Sequence, residues 1–475
     1  MEERLKKLEK LKEQGIEPYP YGFTRTHNFR TIKDDFEDLS QTEKKVMSCG
    51  RIFTIRGHGK TIFATLGDES DKMQIYLRQD KLGERFNLFK LFDIGDFIGV
   101  KGSVFRTKTG EITILVEDLT ILCKALRPLP EKWHGLKDVE IRYRKRCLDL
   151  IANPEIREFF KERTKVITLV REYLDEHDFI EMETPILQPI YGGGEARPFE
   201  TYYNALEQDM YLRIADELYL KRLIVGGYEK VYEVCRDFRN EGVDRLHNPE
   251  FTMLEVYQAY TDYNGIMELV ESLLEFLVER AVGSHTLTFV DKEVEFQRPF
   301  KRIEYIATLN GKLGFDVFSA DEKKIDEVCE ASGIDHKMIT HGAKIDKLFT
   351  ELVQRHIIEP TFVIDHPKII SPLAKTHRND ERCVERFELV VFGVEIANAF
   401  SELNDPIEQR KRFEDQLARR EAGISEIDED FIEALEYGMP PTGGLGIGID
   451  RLCMVLFNQP SIRDVILFPQ LRKEK

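Results

Sequence analysis

No apolar run in this sequence approaches the roughly 20 residues needed to cross a bilayer. The opening MEERLKKLEKLKEQG is a charged helical pattern without a signal-peptide apolar core, so a cytoplasmic protein with no membrane partner is expected. The seven cysteines (Cys49, Cys123, Cys147, Cys235, Cys329, Cys383 and Cys453) stand singly with no CxxC pair. That odd, scattered set suits reduced thiols better than a disulfide framework or structural zinc. No HExxH occurs among the eleven histidines, and no internal repeat or low-complexity tract is present. Positive charge is in deficit, 69 Lys and Arg against 86 Asp and Glu, for a formal net charge of −17. The chain as a whole repels polyanions, and any nucleic-acid contact has to rest on local basic clusters.

Two near-motifs also fail. GHGKT ends like a phosphate-binding P-loop in Gly59, Lys60 and Thr61, but Thr54 stands where that loop needs its first glycine. GGLGIGIDR is glycine-rich, yet Ile449 and Arg451 occupy the third-glycine positions of a GxGxxG read from Gly444 or Gly446.

At 475 residues the chain exceeds one ordinary core, and two or three domains are expected. A composition of 42% hydrophobic and 33% charged residues is globular rather than disordered. Residues 1–15 read as a short amphipathic helix. MSCGRIFTIRG, TIFATLGD, KMQIYLRQ, DFIGVKGSVFRT and EITILVEDLTILC then alternate with the period of two of half-buried strands, with Gly and Asp turns between them. Five such runs suggest a small Greek-key barrel of the oligonucleotide-binding (OB) type, with another small β-barrel left open. The expected organisation is helix plus barrel over 1–123, a proline-containing linker over 124–140 and a second domain over 141–475. After the linker, IRYRKRCLDLI carries Arg142, Arg144, Lys145 and Arg146, a run that usually marks a solvated helix face and here could meet a polyanion at the domain junction. Further on, helical and strand patterns interleave without βαβ alternation. The expected class is α+β, a mainly antiparallel sheet flanked by helices, with a helical insertion near 301–355.

VYEVCRDFRNEGVDRLHNPEFTMLEVY reads as strand, polar loop and strand, and gathers Arg239, Glu241, His247, Asn248, Phe251 and Glu255 around one hairpin. One Arg–Glu pair there would be a cross-strand ion pair; the whole set points to a charged ligand. FRNEG followed by HNPEF resembles motif 2 of the class II aminoacyl-tRNA synthetases. The helix and strand ending at Thr184 and Pro185 resemble motif 1, and GGLGIGIDRLCMVLF resembles motif 3. GGGEARPF, YLRIADELYLKRLIVGG, RFELVVFGVEIANAFSELND and IRDVILFPQ are similar to the lysyl branch of that family, and the likeness covers nearly the whole chain.

The resemblance implies a two-step reaction in which L-lysine and ATP form lysyl-adenylate, and the lysyl group then passes to the 3′ end of tRNA(Lys). It implies Arg239 and Arg451 as the catalytic arginines. ATP would be bound by Arg239, Glu241, His247, Asn248, Phe251 and Arg451, with Mg2+ held by Glu388 and Glu395. Those two glutamates are seven apart, an odd spacing that needs a bulge or turn at Gly393 to make them converge. Lysine would be bound by Gly193, Glu217, Glu255, Tyr257, Asn398, Phe400 and Glu402, with the glutamates facing its ammonium groups. Phe63, Gln74 and Arg56 would meet the anticodon, and motif 1 implies a homodimer. Two departures from the bacterial pattern stand out. Ile55 precedes Arg56 where that pattern has two arginines, and TYYNAL puts Tyr202 and Tyr203 in place of histidines.

Overall fold

The computed structural model describes residues 1–473 apart from 43, 130–135, 195, 338 and 420–425, so part of the expected linker lies outside the described residues. The chain divides into two compact units, Met1–Lys137 and Asp138–Lys475. No described helix is long and apolar enough to cross a membrane.

The first unit begins with helix α1 (Glu2–Glu13), whose Glu2 and Glu3 in the first turn and Lys10 and Lys12 in the last complement the helix dipole. Five strands follow: β1 (Val46–His58), β2 (Thr61–Gly67), β3 (Lys72–Arg78), β4 (Phe97–Arg106) and β5 (Ile112–Cys123). They close into a barrel in the order β1-β2-β3-β5-β4. The alternating runs of the sequence are these strands. Ile62, Ala64 and Leu66 of β2 and Met73, Ile75 and Leu77 of β3 point inward and leave the alternate side chains outside. Closure removes the unpaired edges that an open five-stranded sheet would expose.

The second unit is built on an eight-stranded sheet. Its members are β6 (Ile180–Glu181), β7 (Lys230–Phe238), β8 (Glu250–Ala259), β9 (Lys301–Glu304), β10 (Thr361–Ile364), β11 (Arg386–Val391), β12 (Val394–Ser401) and β13 (Thr442–Gly448). The order is β9-β10-β11-β12-β13-β8-β7-β6, antiparallel except at the two ends. One face carries Leu254, Val256, Phe387, Leu389, Leu445 and Ile447 into the main core. Helices α2 (Pro154–Glu176), α4 (Tyr263–Leu277) and α5 (Ile449–Leu456) supply much of that core, with Leu287, Phe296 and Phe300 beside them, while α3 (Glu217–Val225) packs in a separate apolar cluster with Val231 and Tyr257. The opposite face is mixed, with Tyr257, Ala259 and Phe400 in the second apolar cluster and Glu255, Glu388, Glu395 and Asn398 on its open part. The segment expected to be helical over 301–355 opens as strand β9 and then runs through three helices with a core of their own around Tyr305, Ile345 and Phe349.

The basic run after the linker is not a solvated face. Arg146 is buried and donates to Asp149 Oδ2 at 2.5 Å and to the Leu467 carbonyl at 2.8 Å. Arg142 also reaches Asp149, at 2.9 Å, and Arg144 pairs with Glu140 and the Arg472 carbonyl. These arginines are matched to carboxylates and chain-end carbonyls of the same unit, which leaves Lys145 exposed.

Candidate active site

The open part of that mixed face of the sheet forms the floor of a cavity of about 860 Å³. Register explains what gathers there. Glu255 pairs with Gly446, Tyr257 with Gly444, Asn398 with Gly446 and Phe400 with Gly444, and partners across an antiparallel ladder share a face. Strand β13 therefore contributes no side chains to the floor at Gly444 and Gly446. A Cβ at Gly446 would lie 2.6 Å from Glu255 Oε1, and one at Gly444 would collide with Glu402 Oε1. The GLGIG pattern is a strand with one bare face, which lets carboxylates lie flat across it.

Glu388 and Glu395 sit on neighbouring strands rather than along one. Phe392 and Gly393, at φ 53° and 77°, form the two-residue turn between β11 and β12. A bulge then shifts the register, so that Val390 pairs with Glu395 while Leu389 pairs with Ala397. With Ile396 as the extra residue, Glu395 and Asn398 share a face despite their odd spacing, and Glu388, opposite Asn398, joins them. Turn and bulge are both present, and both glutamates line the cavity. Arg386 donates to Glu388 Oε1 at 2.8 Å and His366 Nε2 stands 3.7 Å from the same oxygen. Burial opposes its charge, but His366 and Arg386 hold the Glu388 carboxyl down at about 2.

On the hairpin side, Arg239 makes one long hydrogen bond from Nε to the Ile214 carbonyl, 3.4 Å, and its guanidinium lies 5.2 Å from the Phe251 ring centre. It forms no ion pair among the described residues and lines the cavity, so its fork is available to an anion. Arg451 donates to Glu395 Oε2 at 3.0 Å and to His247 Nε2 at 3.0 Å. Because Nε2 accepts, His247 carries its proton on Nδ1, which faces Asp244 Oδ2 at 2.8 Å. Glu241 is exposed and lines the same cavity. Asn248 differs: its amide donates to the Glu250 carbonyl at 2.6 Å and accepts from the Gln470 backbone at 3.3 Å, so it braces the hairpin and the C-terminal segment.

The deeper end is a nest of acids. Glu217, Glu255 and Glu402 are all buried; the first two line the cavity, while Glu402 lies outside its lining behind Gly444, and the Tyr257 hydroxyl donates to Glu255 Oε2 at 3.1 Å. Burial, with Asp216, Glu217 and Asp237 nearby, raises the Glu255 carboxyl well above its usual range. Gly193, at φ +84°, lies where a Cβ would sit 3.3 Å from the Glu217 Cβ. Asn398 accepts from Arg386 Nε at 2.9 Å.

Sequence reasoning missed the cation at the centre. Lys221, fully buried one turn after Glu217 on α3, places its ammonium 2.5 Å from Glu217 Oε1 and against Glu402 Oε2, 5.5 Å from the Phe400 ring centre. Burial works against that charge, yet the two carboxylates hold it above its ordinary range. Glu402 Oε1 stays without a partner among the described residues. Burial pushes Glu402 up to about 8 against the pull of Lys221. The i,i+4 Glu–Lys spacing was visible, but the same spacing on an exposed face is an ordinary surface pair. A second missed group is Asp450, which accepts from Arg163 of α2 at 2.7 Å and from the Thr252 backbone at 2.8 Å. It ties α2, β8 and α5 together and so fixes the turn that carries Arg451.

On the barrel, Phe63, Gln74 and Arg56 all lie on the outer surface. Phe63 stacks on Tyr76, ring centres 4.3 Å apart, Tyr76 neighbours Phe105 at 6.2 Å, and Gln74 donates to Thr113 at 2.9 Å. Tyr76 and Phe105 extend the aromatic surface beyond the residue expected from sequence. A register shift between Ile52 and Thr54 turns Ile55 inward against the barrel core and leaves Arg56 outside. Tyr202 and Tyr203 are both about half exposed on the Phe199–Tyr203 strand of a separate three-stranded sheet.

Residues 138–472 match the family of class II tRNA synthetases (D, K and N), and residues 46–122 match the OB-fold nucleic acid binding domain. The chain is 50% identical to a lysine–tRNA ligase of Thermotoga maritima, over 100% of this chain and 96% of that protein. It is 51% identical to one from Carboxydothermus hydrogenoformans, over 99% and 97%. Against one from Methanoculleus marisnigri the identity is 49%, over 99% and 94%. With the barrel, the three-motif sheet and this likeness in agreement, the chain belongs to the class II tRNA synthetases of the D, K and N group, in the lysine–tRNA ligase family.

Proposed function

We propose that the chain activates L-lysine with ATP and transfers the lysyl group to the 3′ end of tRNA(Lys), using the cavity residues in the roles that follow. The observation that carries this reading is one cavity lined both by anion-ready arginines and by the buried carboxylates Glu217 and Glu255, with Glu402 set directly behind Gly444 of its floor. A lysine molecule offers two ammonium groups to the nest and one carboxylate to the arginines. In the first step a lysine carboxylate oxygen attacks the α-phosphorus of ATP, the bond to the β-phosphate oxygen breaks, and pyrophosphate leaves. Arg239 neutralises charge growing on the α-phosphate, and Arg451 with His247 faces the γ-phosphate end. Phe251 and the stem of Arg451 flank the adenine, Glu241 accepts from its amino group, and Asn248 holds the hairpin in place. In the second step a terminal ribose hydroxyl attacks the lysyl carbonyl and AMP leaves.

Glu388 and Glu395 offer hard oxygen donors on one face, with Glu388 kept ionised, and fit Mg2+. When bound, that ion screens the phosphate charges. Glu402 Oε1 and the Tyr257 hydroxyl accept the ε-ammonium, Phe400 flanks the aliphatic stem, and Glu217 takes the α-ammonium over Gly193 while Glu255 and Asn398 complete the polar lining. Phe63 stacks on an anticodon base with Gln74 and Arg56 beside it. The edge strand β6 and its surroundings expose Ile180, Ile186 and Leu187, a surface suited to a second copy in a homodimer. Synthesis of lysyl-tRNA places the protein in the cytoplasm. Pyrophosphate exchange run with each of the twenty amino acids tests the substrate. Lysine alone should drive exchange; equal or better exchange with aspartate or asparagine would overturn the lysine reading, and none with any amino acid would favour a tRNA-binding role without catalysis.

A further inference from the structure

Behind the carboxylate nest, and outside the residues that line the cavity, Asp216, Cys235 and Asp237 meet in the interior. Cys235 and Asp237 are two apart on β7 and share a face, while Asp216 comes from the start of α3. Their exposures are 0% for Asp216, 4% for Cys235 and 1% for Asp237, and their donor atoms lie within 4.8 Å of one another. Both Asp216 oxygens and Asp237 Oδ2 have no hydrogen-bond partner among the described residues. Asp216 occupies the N-cap position of α3, yet its side chain caps no helix N–H. Two cations are near: Arg213 Nε stands 3.3 Å from Asp237 Oδ1, and the Arg239 guanidinium also favours the charged form of Asp237 without bonding to it. Arg213 is shared with Glu233 at 2.8 Å and the Arg236 carbonyl at 2.9 Å and reaches Asp216 only through space, with no hydrogen bond to it.

We infer that Asp216, Cys235 and Asp237 form a buried site for one divalent cation of the zinc class, distinct from the Mg2+ expected between Glu388 and Glu395. Two buried carboxylates with three unbonded oxygens cost several kcal/mol unless a positive charge or a proton joins them. The sulfur selects the class, because Mg2+ and Ca2+ take oxygen donors while a thiolate suits zinc and its analogues. Three protein donors are present, and the second Asp216 oxygen or a water completes a tetrahedron. Ligand distances of about 2.0–2.3 Å bring donors to about 3.5 Å from one another, a contraction that side-chain rotation supplies. Cys235 Sγ lies 3.9 Å from the Asp237 carboxylate at Oδ1, the oxygen that faces Arg213, and the unbonded Oδ2 is left for the ion. Burial pushes the Cys235 thiol well up, so the ion binds with release of the thiol proton to solvent. The site joins the start of α3, next to Glu217, to β7, where Glu233 pairs with Glu255. Its role is to anchor the lysine-facing carboxylates from behind. Single cysteines and aspartates far apart in sequence gave no metal-binding pattern.

The test uses the full chain, expressed with added zinc and passed over a chelating resin, with metal counted by mass spectrometry. One zinc per chain is expected. Cobalt(II) added to the chelator-stripped protein should give a thiolate-to-metal charge-transfer band that saturates at one equivalent; the ATP-site glutamates contain no sulfur and cannot produce it. Cys235→Ser should abolish the band, and Asp216→Asn should weaken cobalt binding by about tenfold or more. Cys453→Ser, a change at a buried thiol elsewhere in the core, should leave both unchanged. If a variant fails to fold by circular dichroism, the wild-type zinc count and cobalt band still decide. Wild-type protein without stoichiometric zinc and without a band at saturating cobalt overturns the inference in favour of a shared proton. A band that survives in Cys235→Ser overturns it too.

Discussion

Arg451 keeps 22% of its side chain in solvent and divides its guanidinium between Glu395 and His247. Lys221, behind the cavity lining on the other side, is wholly buried between Glu217 and Glu402. The partly exposed arginine face can exchange one partner for another at small cost, because solvent screens each contact. In the proposed reaction Arg451 can leave Glu395 for phosphate when ATP arrives, and Arg239 has no ion pair among the described residues to give up. The carboxylate nest has no such solvent. Its charges must be matched before substrate is bound, and Lys221 supplies that match while leaving Glu402 Oε1 open. On the proposed reading, the phosphate side is therefore a set of movable charges, and the ammonium side is a fixed electrostatic frame with one acceptor left over.

Removing the frame's own cation should give the largest effect. Lys221→Met leaves Glu217 and Glu402 facing each other in the interior and is expected to lower unfolding free energy by about 3–5 kcal/mol. Denaturant titration measures it; a loss under about 1 kcal/mol, the surface-pair range, would erase the contrast between the two sides. On the movable side, Arg239→Ala should leave stability nearly unchanged and reduce lysine-dependent pyrophosphate exchange by about 100- to 1,000-fold, the cost of one transition-state charge contact. A comparable fall in stability would show that Arg239 is structural. The barrel serves as an outside reference. Phe63→Ala should raise the KM for tRNA by about 5- to 150-fold, from a stacking contribution of about 1–3 kcal/mol, with pyrophosphate exchange unaffected. An equal loss in both assays would place Phe63 in the barrel's stability.

How much of this was legible in the sequence follows from whether a residue's environment is local. The barrel strands were readable because alternation is a property of each strand alone, as Ile62, Ala64 and Leu66 show. The hairpin carrying Arg239 and Phe251 was readable for the same reason. Glu388 and Glu395 were not placed by spacing, because a turn and a bulge had to act together to bring them onto one face. Gly444 and Gly446 were correctly set apart from a dinucleotide fingerprint, but their period of two marks a bare strand face, and its use depends on Glu255 and Glu402 from elsewhere. Lys221 and Asp450 were hidden because their partners are distant in the chain or their burial is set by tertiary packing. Arg146 misled for the opposite reason: its basic neighbours suggested a solvated face, while Asp149 and the Leu467 carbonyl bury it.

The most direct test of the central claim, that Glu402 receives the lysine ammonium within a fixed frame, is calorimetric lysine binding from pH 6.5 to 8.5 in wild-type and Glu402→Gln protein, with ATP binding measured alongside. Glu402 titrates at about 8. Its charged, ammonium-binding form therefore grows as pH rises through that value, while the ε-ammonium of lysine keeps its proton to about 10.4. Wild-type affinity for lysine should rise about 25-fold across this range, since the ionised fraction of the acceptor falls about tenfold for each pH unit well below its titration point. Glu402→Gln should bind lysine about 100-fold more weakly, the loss of one buried charge contact, with no pH dependence and with ATP binding intact. Lysine binding that is unchanged in the variant, or lost in equal measure with ATP binding, would contradict the account.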